Sequence, residues 1–184
     1  MTQSKDIGGK QMTDECKAPL DPTAFGLFFV AVVSLPIALS GILGYADVSN
    51  DIGVYLGGLA KICAFFIAFA ALGAYKAGSN FGFIVFGLVA AGVYFSGAYG
   101  GDMYINITLA LIYLVALVWS YHLGNPKTLT IILLTTALIF LFGGLGAGLD
   151  GAIWGLLQGI AALGNFVLTL YLAFALADEH LPCY

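Results

Sequence analysis

Six long apolar runs, separated by short polar breaks, most constrain the fold of this chain. The runs cover residues 24–44, 53–74, 81–98, 104–121, 128–147 and 152–176. At about 1.5 Å of rise per residue, helices of this length span, or nearly span, a hydrocarbon layer of about 30 Å. Lipid offers no hydrogen-bond partners to an open backbone, so each run must be helical. The pattern predicts an all-α integral membrane protein with six transmembrane helices.

Composition agrees with a membrane domain and argues against a soluble one. The chain of 184 residues is 61% hydrophobic and only 9% charged, whereas soluble domains carry about 25% charged residues. We predict a polar cytoplasmic tail at 1–20, a six-helix transmembrane domain at 21–177 and a short cytoplasmic tail at 178–184. The first 20 residues lack an apolar core and are therefore not a signal peptide. No basic patch is present, so we expect no nucleic-acid partner.

The positions of the lysines predict the orientation. Five of the six lysines lie outside the apolar runs, and all five fall on one set of alternating sides: Lys5, Lys10, Lys17, Lys76 and Lys127. Positively charged residues are enriched on the cytoplasmic side of membrane proteins. Six spans then place both termini in the cytoplasm.

Residues that could carry catalysis or bind a metal are few. The histidines, His122 and His180, lie at a helix end and in the C-terminal tail. The spacing of Cys16, Cys63 and Cys183 fits neither a disulfide framework nor a metal site. The sequence contains no glycine-rich phosphate loop and no Ser/His/Asp arrangement. We predict that the chain is not an enzyme and uses no cofactor or metal.

The last apolar run, "GAIWGLLQGIAALGN", carries a stripe of small and polar residues. Its glycines stand four residues apart, a spacing that lets helix backbones approach closely, at Gly151, Gly155 and Gly159. At 100° per residue, Gly151, Gly155, Ala162 and Asn165 lie within about 60° of Gln158. Two interpretations stay open, and they are compatible. Gln158 and Asn165 bond a neighbouring helix, or they form a wall of a polar path.

Other polar features have local explanations. Asp21 before Pro22 is typical of a helix start. Pro36 is expected to kink the first helix and to free a carbonyl group. The threonines of the fifth run are expected to bond their own backbone, at Thr128, Thr130, Thr135 and Thr136.

Lys61 lies inside the second run, in "YLGGLAKICAFFIAF", about 12 Å from the outer end of the predicted helix. An ionisable group at this depth usually faces a bundle interior or a wet cavity. Gly57 and Gly58 precede it by one turn and leave space. We therefore expect Lys61 to point inward, to line an outer vestibule and to attract small anions. The alternative is that its amine extends to the outer surface or pairs with Asp51 or Asp102.

Two local motifs and the overall layout carry a family resemblance. "DPTAFGL" opens the first run, and "AYKAGSNFG" joins the second run to the third. The chain has almost no mass outside six spans and ends in "LGNFVLTLYLAFALADEHLP". These features resemble the acetate uptake transporter family, which includes the bacterial succinate–acetate permeases. The family's own motifs are N-P-A-P-L-G-L and E-Y-K-K-G-N-T-F-G, so Asp21 stands for Asn and Ala24 for Pro.

The resemblance implies a bundle with a pore through each protomer, assembled as a homohexameric ring in the plasma membrane. It implies passage of acetate and similar small monocarboxylates, with succinate as a further candidate, through an anion channel or by proton-coupled symport. In the family the pore narrows at residues of the first, third and fifth helices. Matching from the motifs places Val30, Val89 and Thr136 there, with Phe28 or Phe29 in place of Val30 if the first helix is rotated.

The remaining residues expected on the substrate path are Asp21, Pro22, Phe25, Phe28, Lys61, Asn80, Gln158 and Asn165. Glycines and small residues in the first and last runs also predict a homo-oligomer. Two other functions stay open. One is a six-helix pore for a small neutral solute such as urea or a short amide. The other is a structural or assembly protein of the membrane without transport.

Overall fold

The computed structural model describes residues 22–48 and 51–177, which form six α-helices. They are α1 Pro22–Tyr45, α2 Ile52–Lys76, α3 Asn80–Tyr99, α4 Met103–His122, α5 Lys127–Gly148 and α6 Ala152–Ala177. Each helix is long and apolar enough to cross a membrane. Each begins and ends within two residues of its predicted run. The prediction of an all-α protein with six transmembrane helices is confirmed. Asp21 and the predicted tails at 1–20 and 178–184 lie outside the described residues.

Capping residues at the helix starts explain part of the sequence motifs. The Ser79 hydroxyl accepts a hydrogen bond from the backbone N–H of Gly82 at 3.1 Å and starts α3. Oδ1 of Asp102 accepts from the N–H of Ile105 at 3.0 Å and starts α4. Gly78 has φ +79°, a conformation that glycine adopts without strain. Gly78 and Ser79 of "AYKAGSNFG" therefore form the turn between α2 and α3.

The helices pack in an order that differs from their order in the sequence. α1 lies between α6 and α2, while α3 packs on α2, α5 on α6 and α4 on α5. α3 and α4 contact each other only slightly. Neighbours in the bundle therefore follow the order α3, α2, α1, α6, α5, α4. The main core takes buried apolar side chains from all six helices.

Charged residues separate to the two ends of the bundle. The loops after α1, α3 and α5 carry the four described aspartates, Asp47, Asp51, Asp102 and Asp150. Lys76 and Lys127 lie at the opposite end, where α1 begins and α6 ends. We call these ends the aspartate side and the lysine side. The lysine side is the one that the sequence predicts to be cytoplasmic.

Glycines bring α1 and α6 into close contact. A Cβ on Gly41 would collide with the carbonyl oxygen of Gly155. A Cβ on Gly159 would lie 2.9 Å from the carbonyl oxygen of Ala38, closer than real Cβ atoms come. These glycines therefore serve packing inside a single chain. They give no support to the homo-oligomer that was predicted from the small residues of the first and last helices.

Candidate functional site

The residues predicted at the start of α1 and α3 lie at the lysine side. Phe25 and Phe28 are 46% and 45% exposed on the bundle surface. Pro22 packs on α2, where a Cβ on Gly73 would lie 2.6 Å from the Pro22 Cβ. Asn80 is exposed as the first residue of α3. These four residues stand at one end of the bundle and apart from its middle.

The three residues expected at the narrow point all lie in the bundle interior. Val30, Val89 and Thr136 are each 6% exposed, on α1, α3 and α5. Val30 and Val89 belong to the same core cluster. Phe29, the alternative to Val30, is instead stacked on Phe66 of α2 with ring centroids 4.5 Å apart. A solute path past the three interior residues stays a prediction.

Asn165 of α6 is the centre of a buried hydrogen-bond cluster. Its Nδ2 donates to Oγ1 of Thr136 at 2.7 Å and to Oγ1 of Thr135 at 3.0 Å, both on α5. Its Oδ1 accepts from the hydroxyl of Ser34 on α1 at 3.3 Å. Asn165 is only 1% exposed. The interpretation that Asn165 bonds a neighbouring helix is confirmed, and it joins α6 to two helices.

The threonines of this cluster also bond their own helix. The hydroxyls of Thr135 and Thr136 donate to the carbonyl oxygen of Ile132 at 2.9 and 2.8 Å. Each hydroxyl oxygen thus donates to its backbone and accepts from Asn165. The local bonding predicted for these two threonines is confirmed.

Gln158 and an asparagine that was not predicted approach each other near the aspartate side. Nε2 of Gln158 donates to the carbonyl oxygen of Ile139 on α5 at 3.3 Å, which confirms that Gln158 bonds a neighbouring helix. A Cβ on Gly143 of α5 would lie 2.5 Å from Nε2 of Gln158 and 3.8 Å from Nδ2 of Asn106 on α4. Asn106 is 5% exposed, and its side-chain amide has no hydrogen-bond partner among the described residues.

Tyr113 of α4 carries a second unpartnered polar group. The side chain is 0% exposed, and within the described residues its hydroxyl has no hydrogen-bond partner. The ring stacks on Phe140 of α5, with centroids 5.5 Å apart and an interplanar angle of 2°. A Cβ on Gly92 of α3 would lie 2.8 Å from Cζ of Phe140. The stacked pair therefore fills space between α3, α4 and α5.

Polar residues recur at every seventh position along the buried face of α4. Asn106, Tyr113 and Ser120 are all buried, and seven residues are close to two turns of a helix. Near the lysine side, Oγ of Ser120 accepts from Nδ2 of Asn125 at 3.3 Å and lies 3.3 Å from Oγ1 of Thr130. No short motif marks this stripe, but the seven-residue spacing is visible in the sequence and could have revealed it.

Lys61 does not point into the bundle. It is exposed, on the face of α2 that also carries Val54 and Phe65, which are 77% and 61% exposed. The inner face of α2 is filled by small and apolar side chains packed on α1 and α3. Gly57 faces α3, since its Cβ would lie 2.9 Å from the carbonyl oxygen of Gly97, and only Gly58 opens onto free space.

The inward vestibule predicted from Lys61 is therefore wrong for the single chain. Pairing of Lys61 with Asp51 or Asp102 is not observed either, because Lys61 has no ion pair within the described part of the chain. The remaining alternative is an amine that extends along the outer surface. Because side chains of a helix lean toward its N-terminus, the amine leans toward the aspartate side.

Among the described residues, no group of three His, Cys, Asp or Glu side chains could hold a metal ion. The chain matches no protein-family model. No curated protein matches it significantly either.

Proposed function

We propose that this chain transports small carboxylates across a membrane, with the monocarboxylate acetate as the first candidate and the dicarboxylate succinate as a larger one. The observation that carries the proposal is the set of unpartnered polar groups inside an apolar bundle. The hydroxyl of Tyr113 is fully buried and has no hydrogen-bond partner among the described residues, and the amide of Asn106, a residue that is 5% exposed, has none there either. Burying a hydroxyl such as that of Tyr113 without a hydrogen bond costs about 1–3 kcal/mol, so water or a polar solute is the expected partner.

The depths of three buried polar residues on α4, of which Ser120 has hydrogen-bond partners, support a route along this helix. Asn106 lies near the aspartate side, Tyr113 near the middle of α4 and Ser120 near the lysine side. Of the eight buried polar residues in the described part of the chain, Tyr113 included, seven lie on α4, α5 and α6. A route along these helices would pass Val30 and Val89, which belong to the opposite half of the bundle. These two side chains would form an apolar constriction on that side of the route. Short apolar constrictions can gate such a route by losing water.

One observation favours the second candidate, a pore for a neutral solute such as urea or a short amide. Every buried polar residue in the described part of the chain is of an uncharged type: Ser34, Asn106, Tyr113, Ser120, Thr128, Thr136, Asn165 and Thr169. A permanent anion would find hydrogen-bond donors there but no cation. Proton-coupled symport of a carboxylate would not need a buried cation either, because a protonated carboxylic acid is neutral.

Uptake into proteoliposomes separates these candidates. Vesicles that contain the purified protein are compared with empty vesicles for labelled acetate and labelled urea, each with and without a pH gradient. We expect protein-dependent uptake of acetate above that of urea. An anion channel also gives an acetate current in planar bilayers, whereas neutral coupled transport gives none. Protein-dependent uptake of urea alone supports the second candidate, and uptake of neither solute contradicts the transport function.

We also propose how the protein assembles and in which membrane it lies. The outward face of α2 is apolar and rich in aromatic residues, with Tyr55, Phe65 and Phe69 exposed by 74%, 61% and 56%. This face suits lipid or a second copy of the chain. The family resemblance favours a homohexamer in the plasma membrane with both termini in the cytoplasm. Cross-linking in native membranes tests the ring, and a purely monomeric pattern would contradict it.

A further inference from the structure

We propose that Asn106 and Gln158, which approach each other beside Gly143, form a binding site for a small carboxylate near the aspartate side of the bundle. The ligand class rests on the proposed function, whereas the site itself rests on the geometry. α4 and α6 both pack on α5, and each presents an amide to the same glycine. The site thus draws on three helices.

The two amide nitrogens lie within reach of a shared acceptor. They lie 2.5 and 3.8 Å from the Cβ position of Gly143, so they are at most 6.3 Å apart, the sum of the two distances. Two N–H···O bonds of about 2.9 Å to one oxygen span up to about 5.8 Å, and the second oxygen of a carboxylate extends this reach. The two nitrogens are therefore close enough for one carboxylate to accept from both.

Each amide has a donor to spare. The carbonyl oxygen of Ile139 can only accept, so its bond fixes which end of the Gln158 amide is the nitrogen. One N–H of Nε2 is used in this bond, and the other stays free for a ligand. Neither N–H of the Asn106 amide donates a hydrogen bond to a described residue. The site can therefore supply three N–H groups to an acceptor.

The position of Asn106 is fixed by close packing of α4 on α5. A Cβ on Gly144 would lie 3.1 Å from the Cβ of Asn106 and 3.1 Å from the carbonyl oxygen of Met103. Asn106 is three residues inside α4, about 4.5 Å below the start of the helix. The side chain thus starts from a closely packed point near the aspartate side, where a solute from that side would meet it first.

The test combines binding and uptake. Binding of sodium [1-13C]acetate to the protein in lipid nanodiscs is followed by saturation-transfer NMR, with urea and sodium chloride as comparison solutes. Asn106→Leu and Gln158→Met remove the donors on two different helices at similar side-chain volume. The control is Thr108→Val. Thr108 is exposed on the same helix, and its hydroxyl bonds its own backbone at 2.8 Å.

We expect acetate to bind the wild type, and either amide variant to weaken binding by about tenfold or more, because each loses a hydrogen bond to a charged oxygen. Thr108→Val should bind as the wild type does. Gly143→Ala, which crowds Nε2 of Gln158, should weaken binding as well while both amides remain. All variants are compared by their thermal unfolding, so that a folding defect is recognised.

The outcomes distinguish the site from the proposed function. Wild-type acetate uptake with an unchanged KM in folded Asn106→Leu and Gln158→Met overturns the site and leaves the function standing. Acetate binding that both variants abolish, in a protein that takes up no acetate, supports the site and overturns the function. If urea binds the wild type and acetate does not, and both amide variants weaken the binding of urea, the amides recognise a neutral solute. This result overturns the carboxylate assignment.

Discussion

Asn165 is the residue on which the junction of α1, α5 and α6 depends most. Replacing it by leucine removes the bonds to Ser34, Thr135 and Thr136. Polar contacts between membrane helices are worth about 0.6–2 kcal/mol. We expect Asn165→Leu to lower the free energy of unfolding by about 1–2 kcal/mol, measured by SDS titration in mixed micelles. Val167→Leu, on the exposed face of the same helix, should change it little. Equal stability of both variants would contradict this role.

The structure reverses the prediction for Lys61, which was expected from the sequence to attract anions in a vestibule. The ammonium lies on the outer face of α2, where a cation near the helix centre costs about 2.5–3.5 kcal/mol unless it reaches the membrane surface. Lys61→Met should leave the protein equally stable or more stable, and acetate uptake should be unchanged across the concentration range. A selective loss of uptake at low acetate would instead show that a second copy brings Lys61 onto the solute path.

At the scale of the helix, Gly41 and Gly44 of α1 provide a test position and its control. A Cβ on Gly41 would collide with α6, whereas nothing lies within 4 Å of a Cβ on Gly44. Overpacking in a tight contact typically costs about 1–3 kcal/mol. We expect Gly41→Ala to lower the unfolding temperature in detergent and Gly44→Ala to leave it nearly unchanged. Equal shifts in the two variants would show that α1 and α6 can separate without loss.

The extent of the helices could be predicted from the sequence because apolar length alone decides where a chain crosses lipid. The bonding of Gln158 and Asn165 could also be predicted, since an amide in an apolar helix needs a partner. Which way a helix faces could not be predicted in every case. α2 is apolar on all sides, so no periodicity showed that Lys61 lies outside. The helix that packs on each glycine could not be predicted either. The spacing of small residues does not distinguish a neighbouring helix of the same chain from a helix of another chain.

At the scale of the whole molecule, the separation of charges predicts how the bundle sits in the membrane. The described aspartates lie at one end, and Lys76 and Lys127 lie at the other. The lysine side should therefore be cytoplasmic. In intact cells a membrane-impermeant maleimide should label a thiol introduced by Asp150→Cys, and it should not label the native Cys16 or Cys183. Labelling of the native tail thiols from outside would reverse the orientation.

The central claim is that acetate passes through the interior of each chain, and enlarging Val89 tests it most directly. Val89 is 6% exposed in the core, whereas Ala91, two residues further along α3, faces outward. Val89→Trp, and the milder Val89→Phe, are compared with Ala91→Trp for uptake of labelled acetate by proteoliposomes, after gel filtration confirms that each variant is folded. We predict that the Val89 variants lose most of the uptake and that Ala91→Trp keeps it. Wild-type uptake by a folded Val89→Trp or Val89→Phe protein would contradict a path through the bundle.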